Sequence, residues 1–159
     1  SYGLRLKSSF RLDKVGLAGA VLELEGEINK SEMTDTFTGE KRRPFWRGPY
    51  RYVITYRQDI NDWGMSYGAS LRAGSPERFW DFDEFRTANA GRRWMSAFVE
   101  KTLGGGLTAR FSVSNILGID FGRERFLYAD GRAGGILTDR EYRDARIGRH
   151  FRLSVKGAF

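Results

Sequence analysis

Trp63-Gly64-Met65-Ser66-Tyr67-Gly68-Ala69-Ser70-Leu71-Arg72-Ala73-Gly74 is the stretch that decides the fold. Side chains of an extended strand alternate faces with period two. Trp63, Met65, Tyr67, Ala69, Leu71 and Ala73 therefore share one face, and Gly64, Ser66, Gly68, Ser70, Arg72 and Gly74 share the other. A helix would scatter both sets around its axis. The segment reads as a strand with one apolar and one polar face.

Working outward, five further segments carry the same alternation, and a sixth is strand-like. Tyr2 to Leu12 sets Tyr2, Leu4, Leu6, Phe10 and Leu12 against Arg5, Lys7, Ser9 and Arg11. Ala20 to Ser31 sets Ala20, Leu22, Leu24, Gly26 and Ile28 against Glu23, Glu25, Glu27 and Asn29. Tyr50 to Gln58 sets Tyr50, Tyr52, Ile54 and Tyr56 against Arg51, Val53, Thr55 and Arg57. Leu107 to Asn115 sets Leu107, Ala109, Phe111 and Val113 against Thr108, Arg110, Ser112 and Ser114. Arg146 to Phe159 places Phe151, Leu153, Val155, Gly157 and Phe159 opposite Arg152, Ser154, Lys156 and Ala158. Arg92 to Leu103 is a strand whose two faces the pattern does not separate.

Composition agrees with many strands joined by turns. Aromatics make up 14% of the 159 residues, with 20 Gly and only 3 Pro. No run of 18 or more apolar residues occurs, which rules out a transmembrane helix. Barrel strands hide their apolar residues in alternation, so this leaves a transmembrane barrel open. Cys is absent and His150 is the only histidine, which removes soft metal sites and Cys or His nucleophile chemistry. The chain carries a formal charge of +7. Its basic residues are spread over strands and loops rather than clustered, which argues against nucleic acid and for an anionic lipid surface or ligand.

The connections alternate in length. Asp13 to Gly19, Ile60 to Asp62 and Gly104 to Gly106 are short; Thr36 to Pro49, Ser75 to Gly91 and Ile116 to Ala145 are long. Short turns at one end and long loops at the other is the layout of outer-membrane barrels. Strands of about ten residues cross a bilayer at a tilt of about 45°. In the first hairpin, pairing Arg11 with Val21 puts Ser9 opposite Glu23, Lys7 opposite Glu25 and Arg5 opposite Glu27. Opposite charges then face each other within contact range. Carboxylates facing lipid would be costly, so the charged face is assigned to the lumen and the apolar face to the bilayer. Seven strands cannot close with every pair antiparallel, so the chain alone is expected to be an open sheet. A soluble ligand-binding β-barrel and a small outer-membrane barrel with an adhesive or structural role are the alternatives.

Several stretches resemble the carboxy-terminal third of TonB-dependent outer-membrane receptors. They are Leu12 to Gly19 with the strand that follows, Met33 to Glu40, Phe98 to Leu103, Ser114 to Leu117, and Arg152 to Phe159. The resemblance covers nearly the whole chain. It implies an all-β fold, an antiparallel up-and-down transmembrane wall of about seven strands from a 22-stranded barrel in a Gram-negative cell outer membrane. It implies that the rest of the barrel, a plug and the box that meets TonB lie outside residues 1–159, and that the chain is the end of a longer protein. Phe151, Leu153, Val155 and Phe159 match the signal read by the outer-membrane assembly machinery; Gly157 departs from it, since an apolar residue is usual there. The lipid bilayer and lipopolysaccharide are the remaining partners implied. No cofactor is called for.

Candidate sites fall in the loops and the lumen. Asp81, Asp83 and Glu84 are hard oxygen ligands, but the EF-hand spacing fails, and the alternation with Phe79, Trp80, Phe82 and Phe85 reads as a hairpin beyond the membrane. Arg123, Arg125, Arg132, Arg140 and Arg143 suit an anionic ligand or lipopolysaccharide phosphates. Interleaved Asp120, Glu124, Asp130, Asp139, Glu141 and Asp144 make a salt-bridged hairpin turning near Asp130-Gly131 the plainer reading. Phe45, Trp46, Tyr50 and Tyr52 suit an outer aromatic girdle, and Trp63 and Phe159 an inner one. The ligand-binding candidates are Arg51, Arg72, Trp80, Arg110, Arg123 and Arg125. Catalysis has no support. The expected function is import of a scarce nutrient, with an anionic one such as a ferric siderophore favoured by Arg51, Arg57, Arg72, Arg110 and Arg152. In the face assignment, Leu22→Arg or Ala69→Arg meets lipid and costs about 2–4 kcal/mol. Both are expected to block assembly of the protein into membranes, whereas Glu25→Arg and Ser70→Arg are not. Equal loss of assembled protein in both pairs, read on gels of isolated outer membranes, refutes the assignment.

Overall fold

The computed structural model describes residues 1–44, 48–89 and 93–157. The chain is all-β, with antiparallel pairing throughout and no α-helix among the described residues. Its thirteen strands are β1 (Tyr2–Arg11), β2 (Ala20–Lys30), β3 (Met33–Thr34), β4 (Lys41–Arg42), β5 (Tyr50–Ile60), β6 (Met65–Gly74), β7 (Glu77–Trp80), β8 (Glu84–Ala88), β9 (Trp94–Thr102), β10 (Thr108–Ser114), β11 (Phe121–Tyr128), β12 (Leu137–Ala145) and β13 (His150–Lys156). Seven of them form an up-and-down sheet in the order β1-β2-β5-β6-β9-β10-β13. These are the seven alternating segments of the sequence, and the sheet is open. The short turns lie at one end of it.

The long loops are folded. The first contains the β3–β4 hairpin, and the other two contribute the hairpins β7–β8 and β11–β12. Strands β8 and β11 pair with each other, so the two hairpins merge into a second sheet of order β12-β11-β8-β7.

The register of β1 on β2 is the one that the charges require: Arg11↔Val21, Ser9↔Glu23, Lys7↔Glu25 and Arg5↔Glu27. The ion pairs themselves run differently. Arg5 reaches diagonally to Glu25 at 2.6 Å, and Glu27 is met from the other side by Arg51 at 3.5 Å. Glu27 lies directly opposite both arginines, and a long guanidinium reaches the diagonal position as readily as the opposed one.

Pairing carries the alternation across the sheet. Phe10, Leu22, Tyr56, Ala69, Ala97, Val113 and Phe151 lie in one row, and Tyr67, Val99, Phe111 and Leu153 lie in the next. This settles β9: Met95, Ala97 and Val99 join the apolar face, and Trp94, Ser96, Phe98 and Glu100 the polar one. Phe98 survives among polar groups because Arg110 lies 3.8 Å and Arg57 5.6 Å from its ring centre. Gly68 makes room for that ring. A Cβ there would lie 2.7 Å from Phe98 and 2.4 Å from the Tyr56 carbonyl oxygen.

The apolar face is uncovered. Leu4 is 64%, Phe151 67% and Leu153 73% exposed. The buried apolar residues are three alanines, Ala20, Ala73 and Ala88, while the largest fully buried side chains are Asn115 and Asp35. The chain exposes 11257 Å². A close-packed monomer of 18.2 kDa exposes roughly 8,000 Å². The sheet therefore has no apolar core of its own. The sequence expected β13 to extend over Arg146–Phe159; pairing with β10 spans His150–Lys156, since β10 offers partners only from Thr108 to Ser114. Phe45, Trp46, Arg92 and Phe159 lie outside the described residues.

Candidate functional site

A cavity of about 650 Å³ opens where the second sheet meets the long-loop end of the first. Its floor comes from strand ends of the first sheet: Glu27 and Asn29 on β2, Arg51 on β5, Arg72 on β6 and Trp94 on β9. Glu77, Asn89, Ile119, Asp120 and Phe121 close it from the other side.

Two asparagines fix the strand ends beside the cavity. Asn115 takes a left-handed backbone, φ 54°, which Asn tolerates better than most residues. Its buried amide donates to the carbonyls of Ile119 at 3.0 Å and Gly148 at 2.7 Å, and accepts from the Ile119 N–H at 2.9 Å. It thus ties the exit of β10 to the entry of β13. Asn89 accepts from the Gly122 N–H at 2.8 Å and donates to the Asp120 carbonyl at 3.3 Å, holding β11 beside β8.

The tip of the second sheet is tied to the first long loop. Asp35 is fully buried. One carboxylate oxygen accepts from Arg42 Nε at 2.5 Å and from an Arg132 terminal nitrogen at 2.6 Å. The other accepts the backbone N–H groups of Phe37 at 2.9 Å and Thr38 at 3.2 Å. Burial pushes this carboxyl up. The hydrogen bonds from Arg132, Arg42, Phe37 and Thr38 outweigh it and hold the group well below the usual carboxylate range. Arg132 also donates its backbone N–H to the Phe82 carbonyl at 2.8 Å, and Phe37 packs edge-on to Phe82 at 5.4 Å. Gly131, at φ 88°, leaves space for the Phe82 ring, which a Cβ would meet at 2.7 Å. All three long loops converge here.

Among the six ligand-binding candidates, Arg51 and Arg72 reach the cavity. Arg51 is engaged by Glu27, whereas Arg72 has no hydrogen-bond or ion-pair partner among the described residues. Trp80 lines an adjoining cleft of about 240 Å³. It belongs to an aromatic row: Arg42 lies 4.8 Å above Trp80, Trp80 meets Phe85 at 5.6 Å, Phe85 stacks on Phe126 at 5.7 Å, and Arg140 caps Phe126 at 5.3 Å. Arg110 lies at the opposite, short-turn end of the sheet, paired with Glu100 at 3.2 Å. Arg123 and Arg125 are in β11. The Arg125 fork is divided between Glu84 at 2.7 Å and Glu141 at 2.9 Å. Hydrogen bonding to Arg125 holds Glu84 below its ordinary value, and Glu84 in turn raises Arg125. Arg140 Nε meets Glu124 at 2.6 Å. The salt-bridged hairpin is therefore the arrangement found, and the loop arginines do not gather into one open anion site. Phe151, Leu153 and Val155 lie on the exposed apolar face of β13.

The sequence reading set Asn29 on a polar strand face and Asp120 among the salt-bridged loop acids, and gave Glu77 and Trp94 no role. Their carboxylates, amide and indole become a site only through pairing between loops. Asp35 carried a local signal, an acid two and three residues before the N–H groups that it accepts, which marks a turn. No local signal pointed to Arg132.

No protein-family model, no curated protein and no solved structure matches this chain.

Asp35→Ala is expected to take from Arg132 and Arg42 the buried carboxylate that both meet, costing about 3 kcal/mol locally. Proteolysis within 129–136 and 81–83 should accelerate while β-content by circular dichroism is kept. The depressed folded value means that the Asp35 contribution is present above the unfolded pKa, near 4, and lost only as pH falls below it. Protease resistance of these loops should thus be flat from pH 8 to about 5. Loosening already at pH 6, or no effect of Asp35→Ala, contradicts this role.

Proposed function

We propose that this chain forms part of the wall and mouth of an outer-membrane β-barrel, the carboxy-terminal stretch of a TonB-dependent receptor that imports a scarce, bulky nutrient. The observation that carries the reading is the uncovered apolar face of a seven-stranded sheet whose opposite face holds the charges. In water such a face is a large exposed patch; in a bilayer it is the required surface. Strands of 7 to 11 residues suit a tilted crossing. The open edges of β1 and β13 call for further strands, because unpaired backbone groups are not tolerated in hydrocarbon. The remainder of the barrel and the plug supply them, and the folded loops form the outer rim above the wall. Lipid and lipopolysaccharide contact the apolar face and rim, the assembly machinery reads β13, and TonB acts through the plug.

The soluble alternative would need its apolar face covered by protein, and nothing among the described residues covers it. The charges of the polar face divide into two groups. Arg51, paired with Glu27, and Arg72 stand near the mouth. Arg57, paired with Asp59, and Arg110, paired with Glu100, stand with Arg152 at the short-turn end.

The test is uptake. Cells lacking this gene and cells lacking TonB should lose uptake of the same compound from a panel of ferric siderophores, oligosaccharides and short peptides, and the double mutant should be no worse. A plug-encoding sequence upstream in the same reading frame is expected alongside. Uptake independent of TonB contradicts the receptor, and a signal peptide directly before Ser1 favours the small adhesive barrel.

A further inference from the structure

The charges at the inter-sheet cavity do not balance, and the imbalance specifies a ligand. Glu27 and Arg51 satisfy each other at 3.5 Å. That leaves Arg72 on the floor, where it lies directly across from Trp94. Glu77 and Asp120 face it from the second sheet, and neither carboxylate has a hydrogen-bond or ion-pair partner among the described residues. Asn29, which also lines the cavity, donates its Nδ2 to the Gly48 carbonyl at 2.9 Å.

Glu77 and Asp120 are half-buried and Arg72 is exposed, so all three charges are open to a ligand. Two acceptor groups and one donor group thus face one cavity. A purely anionic ligand would satisfy Arg72 and bring repulsion to Glu77 and Asp120. A ligand with an ammonium group and amide N–H groups would satisfy the acceptors, and one carboxylate on it would take Arg72.

We propose that the cavity binds a zwitterionic, amine-bearing ligand of short-peptide chemistry, with its ammonium toward Glu77 and Asp120 and its carboxylate on Arg72. A volume of about 650 Å³ is within the range of small-molecule sites. Trp94, Ile119 and Phe121 supply apolar wall for its body. The proposal rests on the import reading for the ligand's route, but binding is measured without transport.

Three probes of one scaffold separate the charges: triglycine, its carboxy-terminal amide and N-acetyltriglycine. Binding to the purified whole protein in detergent is read by calorimetry. Triglycine should bind best. Acetylation of the amine should weaken binding about tenfold or more, and amidation of the carboxylate by less, since two carboxylates meet the amine and one guanidinium meets the acid. Glu77→Gln with Asp120→Asn should remove the preference for a free amine. Arg72→Gln should remove the preference for a free carboxylate. Glu23→Gln, on the polar face away from the cavity, serves as the folding control and should bind as the parent does. Tighter binding of N-acetyltriglycine, an unchanged preference in the double variant, or no binding of triglycine at 10 mM overturns the proposal. In each of those cases TonB-dependent uptake of another compound would still stand.

Discussion

Phe10, Leu22, Tyr56, Ala69, Ala97, Val113 and Phe151 share one register row, and among the described residues no other strand packs over them. Burying one large apolar side chain is worth about 1.5–3 kcal/mol. A sheet that leaves Leu4, Leu6, Phe10, Ile28, Phe111, Phe151, Leu153 and Val155 largely exposed forgoes that gain many times over in water. The polar face cannot compensate, since exposed ion pairs such as Arg5–Glu25 contribute at most about 1 kcal/mol each. One face of the seven-stranded sheet therefore needs cover. In the barrel proposed above a bilayer would give it, and the strand lengths, the position of the charges and the open edges of β1 and β13 accord with that proposal.

The second sheet obeys different rules. It is held by polar pairing: Asn89 on Gly122 and Asp120, buried Asp35 on Arg42 and Arg132, and Arg125 divided between Glu84 and Glu141. Such groups fix geometry, because each has few acceptable partners and is costly to leave alone. The contrast has a functional side. In the proposed barrel the first sheet would be the wall and the second the rim, and the cavity lies where the two sheets meet. Glu77 and Asp120 have no hydrogen-bond or ion-pair partner among the described residues, and both line that cavity.

Much of the wall was legible in the sequence. Period-two alternation is a local property, so six strands and their faces could be read directly, as could the register of the first hairpin from its opposed charges. The faces of β9 could not. Trp94 and Phe98 put aromatics on both parities, and only the guanidiniums of Arg57 and Arg110, from neighbouring strands, show why Phe98 belongs with the polar set. The second sheet was half legible. Each hairpin announced itself, but the pairing of β8 with β11 joins segments more than 30 residues apart, and no periodicity encodes it. The same holds for Asp35 and Arg132, separated by 97 positions. The arginines of the last loop looked like an anion site because their carboxylate partners on other strands could not be assigned.

The central claim is that one face of the seven-stranded sheet meets hydrocarbon and the other meets water. The absence of Cys makes a direct measurement possible. Single cysteines at Leu24, Ala69 and Phe111, and at Thr55, Ser70 and Ser112, would each carry a nitroxide in the protein reconstituted into bilayers. Collision with oxygen, which partitions into hydrocarbon, is compared with collision with a water-soluble nickel chelate. The first three labels should favour oxygen and the second three the chelate, with the preference alternating residue by residue along β6. Equal access of the chelate to both sets would mean that water bathes both faces, and would contradict the membrane wall.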